Sequence, residues 1–315
     1  MMPMHKAHFV VAVNWNDQWL LPACIGSIRR FYPDADITLL KDTYRGSFQT
    51  ARLEKRFRVF PAPITRAYGG GGWIKLLPSI LGGESNSFRF PLMILDADTL
   101  VLGPVFEELL AVEGSVVVSP DLFSINPAEP DYVSKTYLNL ERLDRLGVSR
   151  DRIESFHWFN SGHYLIREPF LERTFVESWV DWTAKPIAKR DSVLYPCTDQ
   201  SLLNHYLLLN HQVNLGLLDF ADWAGDRPGW LRARNRNYFK SSNFHVLHYA
   251  GCVTIPFWKM PCWRQLLKET FAAERTLGNV GSLVCSHGIQ HLMPRFLDGL
   301  VKQRRASLKR LLFGD

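Results

Sequence analysis

A run of apolar residues in the first third of the chain ends abruptly at two carboxylates. Residues 90–102 read FPLMILDADTLVL, so the segment 92–95 is followed at once by Asp96 and Asp98. A short apolar run of this kind is typical of a buried strand, and open α/β sheets bind ligands in the crevice beyond the carboxyl ends of their strands. The pattern predicts a core strand that delivers two carboxylates to a ligand site. The triplet alone also fits a strand end that is merely solvated.

The chain carries a second Asp-x-Asp triplet that serves as an internal comparison. Asp34 and Asp36 precede the strand predicted at 37–40 instead of following one. They therefore face the opposite end of the sheet, and we expect them to be loop residues. Asp96 and Asp98 have the placement that suits a hard divalent cation holding phosphate oxygens. The ligand expected there is a nucleotide diphosphate.

Strands and helices alternate at the start of the chain, which favours a mostly parallel sheet. A strand predicted at 9–13 leads through an amphipathic helix at 20–30 to the strand at 37–40, and such βαβ units build sheets covered by helices. Residues 219–243 are predicted to form a long polar and aromatic loop. Further strands are predicted at 92–95, 116–118, 164–166, 213–218 and 244–248, and further helices at 73–81, 137–146, 170–182 and 199–209, the last with Thr198 as N-cap.

Composition places the chain among folded proteins without a disulfide or zinc framework. With 315 residues, of which 46% are hydrophobic and 13% aromatic, it can bury a sizeable core. The five cysteines are odd in number and never spaced as Cys-x-x-Cys, which favours reduced thiols. The chain has no run of eighteen apolar residues. We therefore expect a cytoplasmic protein.

Most of the net charge of +6 lies near the C-terminus. Residues 302–310 hold five lysines and arginines with no acidic residue between them, which leaves +1 for the rest of the chain. This balance argues against a nucleic-acid-binding face on the folded part. Apolar residues accompany the basic ones at near-helical spacing in 292–312, as in helices that lie on anionic membranes. A helix that packs on the domain with a solvated basic face fits the pattern equally.

Four segments occur in an order that one known family shares. They are the strand ending in Asp96-Ala97-Asp98, the segment Phe159-Asn160-Ser161-Gly162, the segment DQSLLN at 199–204, and His248-Tyr249-Ala250-Gly251 followed by Pro256-Phe257-Trp258. Together they resemble the GT-A-fold retaining glycosyltransferases of family eight, which include bacterial lipooligosaccharide galactosyltransferases and glycogenins. The resemblance covers about residues 8 to 265. It implies an α/β fold of the nucleotide-diphospho-sugar transferase type, with a mostly parallel central sheet flanked by helices.

The resemblance implies a divalent metal, Mn²⁺ or Mg²⁺, bound by Asp96, Asp98 and His248. Two carboxylates and an imidazole form a donor set that is compatible with Mn²⁺ and leave coordination positions for phosphate oxygens. The metal then offsets charge that develops on the departing UDP. A histidine in an apolar segment is otherwise a packed core residue, so the metal role of His248 depends on the aspartate pair and on the order of the motifs.

The resemblance also assigns residues to the donor. Asp199 and Gln200 take the positions that line the reacting face of the sugar, and Asn160 takes a position beside it. The alternatives are a helix N-terminal carboxylate for Asp199 and a turn residue for Asn160. Lys75 stands where a basic residue lies near donor phosphate, unless it is a solvated helix lysine. The remaining donor contacts implied are Ala12, Asn14, Trp15, Ala97, Ser161, Gly251 and Lys259.

The end of the first strand departs from the family pattern. Asn14 stands where the family has an aspartate, and Asp17 stands where an aromatic residue stacks on uracil. Trp15 or Trp19 would have to supply the stacking, unless both simply pack in the core. The identity of the base as uracil therefore rests on the family.

The sequence thus predicts a GT-A-like domain over residues 1–265 and a basic helical extension over 266–315. The predicted activity is metal-dependent transfer of a hexose from a nucleotide diphosphate sugar, a UDP-sugar by resemblance, to a glycan or glycolipid acceptor. Retention follows from the resemblance, whereas an inverting reaction would take Asp199 as its base. We expect the protein to dock through 292–312 on the inner face of the membrane and not to bind nucleic acid.

Two rival functions stay open at this stage. A nucleotidyltransferase of related fold usually has a glycine-rich basic loop after its first strand, and residues 13–16, VNWN, do not form such a loop. The second rival is a non-catalytic sugar- or membrane-binding protein that kept the fold. Two departures favour it: the family's diphosphate-binding lysine is displaced to Lys259, and Ser201 replaces a frequent acidic residue.

Overall fold

The computed structural model describes residues 6–64, 66–69, 72–81, 88–121, 130–223, 244–250 and 263–278. Its strands are β1 His8–Asn14, β2 Asp36–Asp42, β3 Phe60–Pro61, β4 Leu92–Asp96, β5 Thr99–Val101, β6 Val116–Pro120, β7 Phe159–Ile166, β8 Val180–Asp181, β9 Ala188–Lys189, β10 Leu215–Leu217, β11 Ala221–Trp223 and β12 Val246–His248. Its α-helices are α1 Leu21–Phe31, α2 Ala51–Phe57, α3 Val105–Ala111, α4 Pro130–Thr136, α5 Leu140–Arg145, α6 Arg150–Ser155, α7 Arg173–Trp179, α8 Asp199–Leu209 and α9 Trp263–Leu277, and a 3₁₀ helix covers Trp73–Ser79.

The main sheet has seven strands in the order β10-β6-β7-β4-β1-β2-β3. Every pairing in it is parallel except those of β7, which runs antiparallel to both β4 and β6. A second sheet has the order β11-β12-β5, and β8 pairs with β9. The prediction of a mostly parallel central sheet flanked by helices is confirmed.

Strand β1 is buried on both faces, which explains why its sequence is continuously apolar rather than alternating. Val10 and Ala12 pack into a core shared with the 3₁₀ helix and α8. Phe9, Val11 and Val13 pack on the other side with α1, α3 and α9. The sheet therefore lies between two layers of helices, and its functional groups must come from strand ends.

Strand β7 is longer than predicted and begins at Phe159, so the Phe-Asn-Ser-Gly segment is strand rather than a turn before it. Because β7 is antiparallel to β4, with Leu95 opposite His163, its first residues lie at the edge where the parallel strands end. This reversal brings Asn160 and Ser161 next to Asp96.

Three predicted helices differ in type or bounds. The helix predicted at 170–182 covers only Arg173–Trp179 and is followed by strand β8. The segment at 73–81 is a 3₁₀ helix that contains Pro78, which has no N–H for an α-helical hydrogen bond. The helix predicted from 137 begins at Leu140. Asn139 is its N-cap, and its side chain accepts a hydrogen bond from the Arg142 backbone N–H at 2.9 Å.

Helix α9 packs against the domain rather than standing apart from it. A Cβ on Gly26 of α1 would lie 3.1 Å from Ala273 Cβ, and Ala273 and Leu277 share a core with α1. The domain boundary predicted at 265/266 falls within this helix, and the division into two domains stays a prediction. The segment 292–312 lies outside the described residues. No described helix is long and apolar enough to cross a membrane.

A buried histidine in α8 predicts a loss of stability in acid. His205 is enclosed by Trp179 and Phe175, and its Nδ1 lies 2.6 Å from the Tyr195 hydroxyl. Burial lowers the pKa of His205 from 6.5 to about 4. At pH values between 4 and 6.5 the unfolded chain therefore binds more protons than the folded chain. The free energy of unfolding falls by about 1.4 kcal/mol per pH unit as the pH falls from 6.5 towards 4.

We expect urea unfolding at pH 7, 5.5 and 4.5 to show this slope in the wild type and a smaller slope in His205→Gln. The exposed His211 supplies the control, since His211→Gln should keep the wild-type slope. Equal slopes for wild type and His205→Gln would contradict the assignment.

Candidate active site

A cleft of about 450 Å³ opens at the edge of the main sheet where β1 and β4 end and β7 begins. Among its lining residues are the predicted site residues Ala12, Asn14, Lys75, Asp96, Ala97, Asp98, Asn160, Ser161, Asp199, Gln200 and His248. Residues that lie far apart in the sequence thus line one cavity.

Asp96, Asp98 and His248 converge on one point of the cleft. One ligand atom from each lies within 4.8 Å of the others. His248 Nε2 is 3.1 Å from Asp98 Oδ1 and 3.8 Å from Asp96 Oδ2. The side chain of His248 is 3% exposed, whereas that of Asp96 is 27% exposed, so the group is open to the cleft on one side.

Backbone pairing fixes this arrangement. The Ala97 N–H donates to the Ala12 carbonyl at 3.0 Å, which holds the turn after β4 beside β1. Strand β12 pairs antiparallel with β5, with His248 opposite Thr99. The Tyr249 N–H donates to the Asp98 carbonyl at 2.9 Å. The two aspartates and the histidine are therefore carried by neighbouring, hydrogen-bonded segments.

The chemistry of this group fits a divalent cation. Two carboxylates and one imidazole are oxygen and nitrogen donors that Mn²⁺ accepts, whereas oxygen-only sets suit Mg²⁺ better. Burial would raise the pKa of Asp98, but His248 outweighs it, so the pKa of Asp98 is lowered. Burial raises the pKa of Asp96, which Lys75 partly offsets. A cation between them would relieve the mutual repulsion of the two carboxylates.

Gly162 makes room for the His248 ring. A Cβ at Gly162 would lie 2.1 Å from His248 Cε1, so only glycine fits here. His163, the next residue, meets the His248 ring edge-on with 5.4 Å between ring centroids. The glycine of the Phe-Asn-Ser-Gly segment therefore has a packing role that its sequence position did not reveal.

Lys75 is buried and not a solvated helix lysine. Its Nζ lies 2.9 and 2.7 Å from the two carboxylate oxygens of Asp96 and 2.9 Å from Asp199 Oδ2. Burial alone would lower the pKa of Lys75, but Asp199 and Asp96 more than offset it and hold the ammonium protonated. One cation thus joins the end of β4 to the start of α8.

Gly72 precedes Lys75 and lets the chain approach Asp199. Its φ is +90°, in the left-handed region that favours glycine, and a Cβ there would lie 2.1 Å from Asp199 Oδ1. The close approach of the backbone to the site therefore requires this glycine.

Asp199 and Gln200 are held by hydrogen bonds at the start of α8. Asp199 accepts from the Ser161 hydroxyl at 2.6 Å and from the Thr198 hydroxyl at 2.9 Å. Thr198 occupies the N-cap position but makes no capping hydrogen bond. Gln200 Nε2 donates to the Thr136 carbonyl at 2.9 Å, and its Oε1 accepts from the Ser161 N–H at 3.3 Å.

Asn160 lies in β7 and not in a turn. Its Oδ1 accepts a hydrogen bond from the Gly162 N–H at 2.7 Å, which fixes the orientation of the amide. The side chain is 8% exposed and lines the cleft.

Asp17 is a cleft residue to which sequence reasoning gave no role. Its side chain accepts a hydrogen bond from Asn14. Burial, together with the charges of Asp98 and Asp96, raises the pKa of Asp17 to about 7. The signal that could have found it was its place three residues after the end of β1. Lys135 and Cys197 also line the cleft and were not predicted.

Trp15 does not line the cleft, although a donor contact was predicted for it. Its ring packs against Phe48, with 6.5 Å between centroids, and against Gly46. Trp19 is buried in a separate apolar cluster. Neither tryptophan is among the residues that line the cleft, and the donor contact of Trp15 stays a prediction. Gly251 and Lys259 lie outside the described residues.

Comparison with known proteins identifies the fold. No protein-family model and no curated protein matches the sequence. Among solved structures, the bifunctional glycosyltransferase WbbM matches with a TM-score of 0.56 and 16% identity over 93% of this chain, which spans only 53% of that one. The galactosyltransferase LgtC, in complex with donor and acceptor sugar analogues, matches with a TM-score of 0.53 and 16% identity. This match covers 85% of this chain and 95% of the LgtC chain.

The glycosyltransferase GlyE of Streptococcus pneumoniae TIGR4 matches with a TM-score of 0.54 and 15% identity over 87% of this chain and 62% of its own. At such identities the likeness concerns the fold. The chain has the GT-A glycosyltransferase fold that these structures share, and this expectation is confirmed.

Proposed function

We propose that the chain is a metal-dependent glycosyltransferase that transfers a hexose from a nucleotide diphosphate sugar, a UDP-sugar, to a glycan or glycolipid acceptor. The observation that carries the proposal is the convergence of Asp96, Asp98 and His248 within 4.8 Å at the edge of a sheet with the GT-A fold. A non-catalytic binder would need the cation but not the buried polar groups Asp199 and Gln200 in the same cleft.

The residue roles are part of this proposal, and the presence of all these groups in one cleft supports them. Asp96, Asp98 and His248 would hold Mn²⁺ or Mg²⁺, which supplies positive charge for the leaving diphosphate. Ala12, Asn14, Ala97, Ser161 and Lys75 are the donor contacts we propose. Asp199, Gln200 and Asn160 are the residues we assign to the sugar.

Contacts among the chain's own groups support this proposal. Lys75 pairs with both Asp96 and Asp199 and holds them in place, so it acts by positioning. Gln200 is anchored at both ends of its amide and so presents a fixed dipole to a transition state, which costs little reorganisation. Asp199 can accept a hydrogen bond from a sugar hydroxyl in addition to its protein partners, since a carboxylate has about four acceptor sites.

The acceptor, location and domain division remain part of the proposal. We infer a cytoplasmic enzyme on the inner face of the membrane, with the basic extension, including 292–312, as its contact with anionic lipid and a lipid-linked glycan as acceptor.

Removal of one carboxylate charge tests the metal site. We expect Asp98→Asn to abolish metal-dependent UDP binding without unfolding the chain, because the cation needs the charge and the core does not. Isothermal calorimetry with UDP, with Mn²⁺ and with EDTA, measures this. Asp34→Asn is the matched control, since Asp34 belongs to the other Asp-x-Asp triplet and is 84% exposed. Equally tight UDP binding by wild type in EDTA would contradict the proposal.

A further inference from the structure

Helices α1, α2 and α9 enclose a groove of about 420 Å³ that is rich in arginine. Arg29 and Arg30 of α1 and Arg56 and Arg58 at the end of α2 line it, opposite small residues of α9. Residues 52–58 carry four cations and one acid, but their proximity to α1 and α9 depends on the fold, because the three segments are distant in the sequence.

Arg29 forms the floor of the groove. Its guanidinium donates to the carbonyls of Ala35 at 2.6 Å, Phe57 at 2.7 Å and Arg58 at 2.8 Å. These bonds tie α1 to the segment that follows α2. Burial and the nearby charge of Arg58 lower the pKa of Arg29 to about 10, so the guanidinium stays charged at neutral pH and the groove carries a fixed positive charge.

Exposed cations continue outward from the groove. We define the α2/α9 face by seven exposed residues: Arg52, Lys55, Arg56, Arg58, Lys268, Phe271 and Arg275. The two helices touch, since a Cβ on Gly278 would lie 3.5 Å from the Arg52 guanidinium. Six of the seven residues are therefore positive charges on one continuous surface.

Acidic residues offset only part of this charge. Glu269 of α9 is buried and pairs with Arg30 of α1, and Glu54 of α2 lies 3.7 Å from a lysine of β2. Helix α1 has no acidic residue. Asp34 is exposed at the rim, 3.3 Å from Arg58. The face therefore keeps a strong excess of positive charge.

An exposed aromatic residue lies among the cations of α9. Phe271 is 39% exposed, and Lys268 and Arg275 stand three residues before and four after it, on the same side of the helix. An apolar ring between long basic side chains is typical of helices that lie in the headgroup region of a membrane. The fifteen residues of α9 offer a strip roughly 22 Å long.

We propose that the α2/α9 face docks on a membrane surface rich in anionic phospholipid. The charges are spread over two helices rather than converging on one point, which suits a sheet of headgroups better than a single phosphate. The exposed ring of Phe271 can insert at the boundary between the headgroups and the acyl chains. The face consists of residues 52–58 and 268–275 and lies apart in the sequence from 292–312. Its α9 residues belong to the basic extension 266–315, so this inference rests on the lipid contact proposed for that extension and gives it a place among the described residues. It does not depend on the donor or metal.

Charge reversal in the full chain tests this docking surface. The variant carries Lys55→Glu, Arg56→Glu, Lys268→Glu and Arg275→Glu, all at exposed positions. The control reverses four exposed cations elsewhere, Arg145, Arg150, Arg173 and Lys185, so both variants have the same net charge. Binding is measured by sedimentation with phosphatidylglycerol vesicles and with phosphatidylcholine vesicles, and circular dichroism and thermal unfolding confirm that both variants fold.

We expect the face variant to lose at least about 100-fold in affinity for phosphatidylglycerol vesicles, since each basic residue near such a surface contributes about a factor of five. The control should stay within a few-fold of wild type, and Phe271→Ser should weaken the binding that survives high salt. Equal loss in both variants would overturn the proposal. So would tighter binding to a DNA duplex than to vesicles, or competition by inorganic phosphate at constant ionic strength.

Discussion

Replacement of Lys75 by methionine is expected to abolish turnover and to destabilise the fold by about 3 to 5 kcal/mol, the usual cost of removing one partner from a buried ion pair. Lys75 is 3% exposed and lies within 2.9 Å of both Asp96 and Asp199. Without the ammonium, two carboxylates remain close together with no cation between them. Urea unfolding in EDTA measures the loss of stability, and donor turnover measures the loss of activity.

A double-mutant cycle separates charge from packing. Lys75→Met with Asp199→Asn should recover much of the stability, because one of the two uncompensated charges is gone, but it should not recover activity. The exposed Lys135, which lies at the cleft and is 75% exposed in its side chain, provides a comparison: Lys135→Met should leave stability within about 0.5 kcal/mol of wild type. If Lys75→Met is as stable as Lys135→Met, the buried ion network does not exist as described.

Gly162→Ala is expected to lower metal affinity about 100-fold, the upper range for changes beside a metal ligand. The new Cβ would lie 2.1 Å from His248 Cε1. The backbone of Gly162 cannot move away, because its strand β7 is paired with β4 on one side and β6 on the other. The imidazole must therefore leave its place beside Asp98. Titration of Mn²⁺ in the presence of UDP measures the change.

Gly147→Ala is the matched control for this substitution. Its φ is +79°, but a Cβ there meets nothing within 4 Å, so it should cost about 1 kcal/mol of stability and leave metal affinity unchanged. A Gly162→Ala variant that folds and binds Mn²⁺ as tightly as the control would remove His248 from the metal site.

The strand end with Asp96 and Asp98 could be predicted from sequence because the signal is local. An apolar run followed by carboxylates specifies both a buried strand and the edge at which it ends. The placement of Asp34 and Asp36 at the opposite end of the sheet was equally readable. The prediction that both are loop residues was wrong for Asp36, which is the first residue of β2 and pairs with Lys6.

Other features depend on contacts between distant segments and could not be read locally. Lys75 is buried because the 3₁₀ helix carries it into the core, where it pairs with Asp96 and Asp199 from two distant segments. The inclusion of Asn160 in a strand follows from the reversed direction of β7, which periodicity does not encode. The packing of the Trp15 ring likewise depends on Phe48 and Gly46, which lie in another segment.

The cationic face is the clearest example of a property that sequence composition conceals. Residues 52–58 carry four cations and one acid, whereas 268–275 carry two of each, and the near-neutral balance of the folded part argued against a nucleic-acid-binding face. Packing of α9 against α1 and α2 brings the two segments together while burying Glu269 and Glu274. Net charge over the folded part therefore does not reveal how the charges are distributed over its surface.

The most direct test of the account is release of UDP from a panel of UDP-sugars, with Mn²⁺ and with EDTA, by wild type and Gln200→Ala. We expect wild type to release UDP from at least one sugar only with metal. Gln200→Ala should lower kcat at least about 100-fold with the donor KM little changed, as for a group that acts on the transition state. Release that is equal in EDTA, or a Gln200→Ala variant with wild-type kcat, would contradict the assignment of this cleft as the site of glycosyl transfer.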